Sequence, residues 1–252
     1  MKNIPNVHWP FEPADFVPFK DRELCNRLAK LGGKDLEKHD NPDFKIKVMF
    51  NPHPVLIGRL FTLIKESDEQ DRKLTLILGN PEPDTYLPVA ELINYHRVNC
   101  RNVHVFAMDE WADQDGKIAP ETYEASFARS LLISLYGAID ADLRMPRENI
   151  VYPTDKNISS YSKMIADCGG GGADLCSSSP GWTGHLAFID PVKEFIKEDI
   201  NEYLQQEAKI IDLHPMTILQ NSLHGVFGMS GNIANVPPKA ATIGPVDVLN
   251  SR

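Results

Sequence analysis

Long apolar runs are missing from this chain of 252 residues. None approaches the roughly 18 to 20 residues of a membrane span, and the N-terminal stretch carries prolines where a signal peptide needs an apolar centre. The expectation is a cytoplasmic protein with no membrane partner. Cysteine is scarce: Cys25, Cys100, Cys168 and Cys176 lie far apart with no CxxC pair. Such spacing fits reduced thiols and argues against a disulfide frame or a zinc site. Positive charge is short as well. Lysine and arginine total 26 against 35 acids, a formal charge of -9 with no basic block, so the surface repels phosphates and nucleic acid is excluded as a partner. Solenoid repeats and low-complexity tracts are absent too. What remains, 42% apolar, is enough to bury a large α/β core.

Residues 1–20 hold four prolines among aromatics (IPNVHWPFEPADFVPF). That composition suits an extended arm, and an arm able to dock on a neighbour points to a homo-oligomer. From Asp21, leucines at 24, 28 and 31 follow helical spacing up to Gly32-Gly33. The expected division is therefore an arm and helix over 1–40 and one α/β domain over 41–252. Alternation in FKIKVMF (44–50) predicts a strand, and Leu56, Leu60 and Ile64 predict a helix. LTLILG, LPVAELINYH, NVHVFAM, TYEASFARSLLISLY (122–136), NIVYP and ISSYSKMIADC continue the alternation. Beyond a glycine connector, ADLCS, the region around VKEFIKEDINEYLQQ, AKIIDL and AATIG carry it to the end. Strands and helices in this order predict an α/β fold, a mostly parallel sheet covered on both faces in three layers.

In such sheets ligands sit beyond the carboxyl ends of the strands. Three of those ends are polar here: Gly79-Asn80-Pro81-Glu82-Pro83-Asp84-Thr85-Tyr86, Asp109-Glu110-Trp111, and SSSPGWTGHLAFIDP (177–191). A shielded Asp109 has the chemistry of a base, though a pair of adjacent acids also reads as helix capping. His185 with Asp190 reads as an imidazole and its orienting carboxylate, or as a buried structural histidine. Ser177, Ser178 and Ser179 lack the G-x-S-x-G elbow of a serine hydrolase and read as hydrogen bonders. His214 and His224 have no metal-pair spacing.

The order MDEW (108–111), PETY (120–123), GWTGHLAF (181–188) and VPPKAATIG (236–244) resembles the glucosamine-6-phosphate deaminase family, which shares parts of it with 6-phosphogluconolactonases. The resemblance spans about residues 44–249 and stops short of the family's last strand and helix. It implies a Rossmann-like fold, no cofactor, and a sugar or sugar phosphate as substrate. The implied reaction opens an amino-sugar ring, moves a proton from C2 to C1 and releases ammonia. By position, Asp109 matches the proton-moving carboxylate, His185 the ring-opening group, and Asp190 the acid supporting it, a glutamate in the family. Glu110, Gly79, Asn80, Thr85, Gly181 and Thr183 fall on its substrate-binding positions.

The departures fall on phosphate contacts and on one acid. The family's glycine- and threonine-rich phosphate loop is replaced by two prolines and two acids over 81–84, which make a poor anion nest. Thr183 stands where the family has an aspartate, and Leu213–Thr217 lacks the family's arginine. Two alternatives follow: a catalytically silent sugar-phosphate-binding regulator, and a lactonase using His185 as base.

Overall fold

The structure, a computed structural model, describes residues 9–252, so the beginning of the proline-rich arm lies outside the described residues. The chain divides into two compact units between Phe50 and Asn51. In the first, Arg22 stacks on the Phe11 ring at 4.2 Å and donates to its carbonyl. Helix α1 (Arg22–Leu28) starts at Asp21, whose side chain accepts from the amide of Leu24, and a single turn, α2 (Gly33–Leu36), follows. The strand predicted over 44–50 does not form. Among the described residues no partner strand lies beside it, and the Val48 amide donates to the Glu37 carboxylate instead. Alternation alone does not make a strand when no ladder satisfies its backbone.

The second unit opens with α3 (His53–Glu69), then β1 (Leu74–Leu78), α4 (Pro83–His96), β2 (Val103–Ala107) and β3 (Asp109–Ala112). After α5 (Phe127–Leu131), which runs into a π turn over Leu132–Tyr136, come β4 (Ile150–Val151), α6 (Tyr161–Gly169) and β5 (Leu175–Ser177). The chain then passes through α7 (Ile200–Leu204), β6 (Lys209–Asp212), α8 (Pro215–Ser222), β7 (Lys239–Thr242) and α9 (Pro245–Leu249). Strands β4-β2-β1-β5 form one parallel sheet, and β3-β7-β6 form a second, antiparallel one.

The α/β class read from the alternation is therefore present, with one difference. AKIIDL and AATIG leave the parallel sheet and build the antiparallel one on β3. Two of the predicted helices are also shorter. Ser126 caps α5 through the amide of Arg129, and Asp199 caps α7, so the flanking residues are spent in turns.

The pleat of the parallel sheet sorts its side chains onto two cores. Leu74, Leu76 and Leu78 of β1 and Val103, Val105 and Ala107 of β2 pack with Leu60, Ile64, Val89 and Ile93 from α3 and α4. Ile77 and Phe106 point the other way, toward Trp111, Tyr161 and Ile165. The Tyr161 hydroxyl donates to the Ala107 carbonyl at 2.7 Å, which pins α6 to the end of β2. Both faces of β1 and β2 are buried, so the unsatisfied polar backbone of the unit is left at the strand ends.

Candidate active site

The carboxyl ends of β1, β2 and β5 meet at one cavity of about 450 Å³. Backbone bonds hold the three ends in line: the Gly79 amide donates to the Ser177 carbonyl and the Met108 amide to the Leu78 carbonyl. Met108 is the switch between sheets, since its own carbonyl accepts from Ile243 in the antiparallel layer. Asp109 therefore enters the cavity wall at the junction of the two sheets, where the polypeptide passes from a parallel to an antiparallel neighbour.

Asp109 is 6% exposed, lines the cavity, and receives no side-chain hydrogen bond from the described residues. Burial, and secondarily the charge of Glu110, holds its carboxyl well above the usual range. Such an acid is a stronger base once ionised and costs the fold something to keep.

His185 is 7% exposed and lines the same cavity. Its Nδ1 hydrogen donates to Asp190 Oδ1 at 2.6 Å, which leaves Nε2 without a protein partner among the described residues. The hydroxyls of Thr183 and Thr217 also donate to Oδ1, each at 2.8 Å, and the His214 amide donates to Oδ2 at 3.1 Å. Burial pushes Asp190 upward, but the bonds from His185, Thr183 and Thr217 outweigh it and hold the carboxyl below its usual range. The result is an ionised carboxylate that fixes one tautomer and one ring orientation of His185.

The turn before His185 is built to bring the ring close to the backbone. The Gly181 amide donates to the His185 carbonyl and the Gly184 amide to the Gly181 carbonyl, with Gly184 at φ +84°. A Cβ on Gly181 would lie 2.1 Å from His185 Nε2, so only glycine fits that position without moving the ring. Ala187 carries a φ of +53° and its amide donates to the Ser178 hydroxyl, a strained residue inside the wall. Ser178 of the serine run thus acts as a hydrogen-bond acceptor.

Gly79, Asn80 and Gly181 line the cavity together with Asp109 and His185. Three expected substrate contacts need correction. Glu110 is fully buried on the other side of β3, where Ser126 Oγ and the amides of Trp111, Phe127 and Ala128 donate to its carboxylate. It holds the start of α5 and has no free oxygen to offer a substrate. Thr85 is buried behind the wall with its hydroxyl 3.0 Å from His53 Nδ1. Thr183 is likewise buried, bonded to Asp190, and supports the histidine from behind.

Several residues of the site carry no local signature in the sequence. Thr217 and His214 reach Asp190 only because α8 begins beside the loop after β5, and Gln220 of that helix accepts from the Trp182 amide at 2.7 Å. His53, Glu82 and His224 complete the wall. Pro215, at the first position of α8, and the cap His214 before it mark the helix start that delivers Thr217.

An α/β sandwich with a polar cavity at the carboxyl ends of its parallel strands, holding an aspartate and an oriented histidine, defines the Rossmann-like class of small-molecule proteins. The solved structures with this fold include a monomeric glucosamine-6-phosphate deaminase (TM-score 0.62, 19% identity, covering 79% of this chain and 74% of that one). They also include the 6-phosphogluconolactonase of Thermotoga maritima (TM-score 0.50, 17% identity, 78% and 75%). Among curated sequences, glucosamine-6-phosphate deaminases of Fusobacterium nucleatum subsp. nucleatum and Phocaeicola vulgatus are each 26% identical, over 75% and 70% of this chain. The matched region spans 64% and 62% of those relatives' own length. No protein-family model matches the chain. The chain is thus similar in sequence to glucosamine-6-phosphate deaminases and shares its fold with a solved deaminase and a solved 6-phosphogluconolactonase.

Proposed function

We propose that the protein is an amino-sugar deaminase and isomerase, converting an aldose amino sugar and water to a ketose and ammonia. One observation carries the reading: a bare, buried Asp109 and a His185 with a free Nε2 line the same cavity. In this scheme His185 Nε2 protonates the ring oxygen as the C1 hydroxyl loses its proton, and the C1–O5 bond breaks to give the open aldehyde. Asp109 then removes the C2 proton while the C1 oxygen takes a proton from the substrate's own ammonium group, forming an enolamine. Asp109 returns the proton to C1, which leaves an iminium at C2. Water adds there, the C2–N bond breaks, and ammonia leaves. Proximity and a base of raised affinity for protons are what the middle step needs. The residues named use no cofactor in these steps.

The test is ammonia release and ketose formation from a panel of aldose amino sugars, with and without a phosphate ester. Release that disappears in Asp109→Asn and in His185→Ala is the expected outcome. No release from any member overturns the reading. Hydrolysis of a phosphogluconolactone that survives Asp109→Asn would replace it with a lactonase. No helix among the described residues is long and apolar enough to cross a membrane. The proposal includes a cytoplasmic location and a homo-oligomer, the latter checked by sedimentation equilibrium.

A further inference from the structure

We propose that the cavity selects an unphosphorylated amino sugar, a hydroxyl-rich ligand bearing a protonated amine, over its phosphate ester. The inference rests on the amino-sugar reading and narrows it. A bound phosphate needs N–H donors or fixed positive charge. Among the described residues the wall between β1 and α4 offers no lysine or arginine, and several of its backbone positions have no N–H to give. Pro81 and Pro83 have no N–H, and the amides of Thr85 and Tyr86 are already bonded to the Glu82 carbonyl at 3.1 and 3.0 Å. Two of the amides at that helix start are thus occupied by its own chain. Asn80 turns its amide nitrogen onto the Leu78 carbonyl at 3.2 Å, and its Oδ1 is buried with no partner.

Charge in the cavity points the same way. Two carboxyl groups line it, Glu82 and Asp109. Neither receives a side-chain hydrogen bond from the described residues. Asp109 is more than nine-tenths buried. Among the described residues the lining includes no lysine or arginine, and its basic side chains are the imidazoles of His53, His185 and His224. Burial holds His224 below its usual range, which favours its neutral form. A phosphate dianion would meet two carboxyl groups without a fixed cation. An ammonium group and sugar hydroxyls would instead donate to both.

The experiment compares glucosamine with glucosamine 6-phosphate on the full chain, by initial rates of ammonia release and by titration calorimetry, with inorganic phosphate as competitor. Glucosamine is expected to show a kcat/KM at least about tenfold higher, and phosphate is expected not to compete at millimolar concentration. Glu82→Gln should shrink the ratio several-fold by weakening acid repulsion of the ester. An equal or higher kcat/KM for the ester, or competition by inorganic phosphate, overturns the selectivity. If neither sugar is turned over but glucosamine binds more tightly than the ester, the deaminase reading fails and the selectivity stands. Tighter binding of the ester, or no binding of either sugar, overturns the selectivity.

Discussion

Asp109 and Glu110 are consecutive on β3 and both buried, yet the two regions they enter treat a carboxylate in opposite ways. Glu110 points into the packed layer under α5, where one hydroxyl and three amides donate to it. Asp109 points into the cavity, where no described side chain or amide does. Burial pushes both upward from the usual carboxylate range, but for Glu110 the four donors pull back against it. A saturated buried acid stabilises the fold as a helix-start clamp. A bare one is a cost to the fold, retained in a wall that faces a ligand.

Four substitutions break or sharpen that contrast. The largest effect is expected from Asp109→Asn, which should lower kcat by about 10² to 10⁴-fold in the ammonia-release assay. The same variant should be as stable as the parent or more so. A carboxyl whose folded pKa is raised binds more protons in the native state than in the unfolded one, so it lowers stability as pH rises through that window. The stability advantage of Asp109→Asn should therefore be small near the ordinary carboxylate pKa and grow toward neutral pH, read from Tm against pH. A loss of Tm on this substitution would contradict the bare-acid picture.

Next in size, Glu110→Ala strands four buried donors and should cost about 2 to 4 kcal/mol in denaturant unfolding. The variant that still folds should keep the parent's KM, because Glu110 reaches no part of the cavity. Gly181→Ala should cost about 10²-fold in kcat, since the added methyl displaces His185 Nε2, while chemical denaturation changes little. The smallest effect belongs to Thr217→Val. One of four donors to Asp190 is lost, which lets the Asp190 pKa rise. A several-fold fall in kcat with the acidic limb of the pH profile moved upward is expected. Thr217→Ser should restore the profile, which a purely structural threonine would not do.

Much of the cavity was legible in the chain because strand ends in an α/β alternation announce themselves. LTLIL followed by Gly79-Asn80, VHVFA followed by Met108-Asp109, and LCS followed by the serine run mark three sites where buried strands release their backbone. His185 and Asp190 were legible as a pair because the glycine turn and the spacing sit in one loop. Glu110 and Thr85 were misplaced for a common reason. Each is a polar residue next to a cavity residue in sequence, and a strand or helix sends neighbours to different faces. Thr183 was misplaced because the turn before His185 aims its hydroxyl at Asp190, behind the ring. The strand expected over 44–50 failed for want of a partner, which no local pattern contains.

Local chemistry in the chain by itself determined the α/β alternation, the two apolar faces of β1 and β2, the glycine turn at 181–184 and the presence of an acid at 109. Those follow from side-chain volume, periodicity and backbone sterics within a few residues. Tertiary structure alone decided which acid is bare and which is satisfied. It also brought Thr217 and the His214 amide of α8 to Asp190, and divided the strands between a parallel and an antiparallel sheet. Hydrogen-bond satisfaction and desolvation depend on neighbours distant in sequence, so the division of labour between Asp109 and Glu110 exists only in the folded chain.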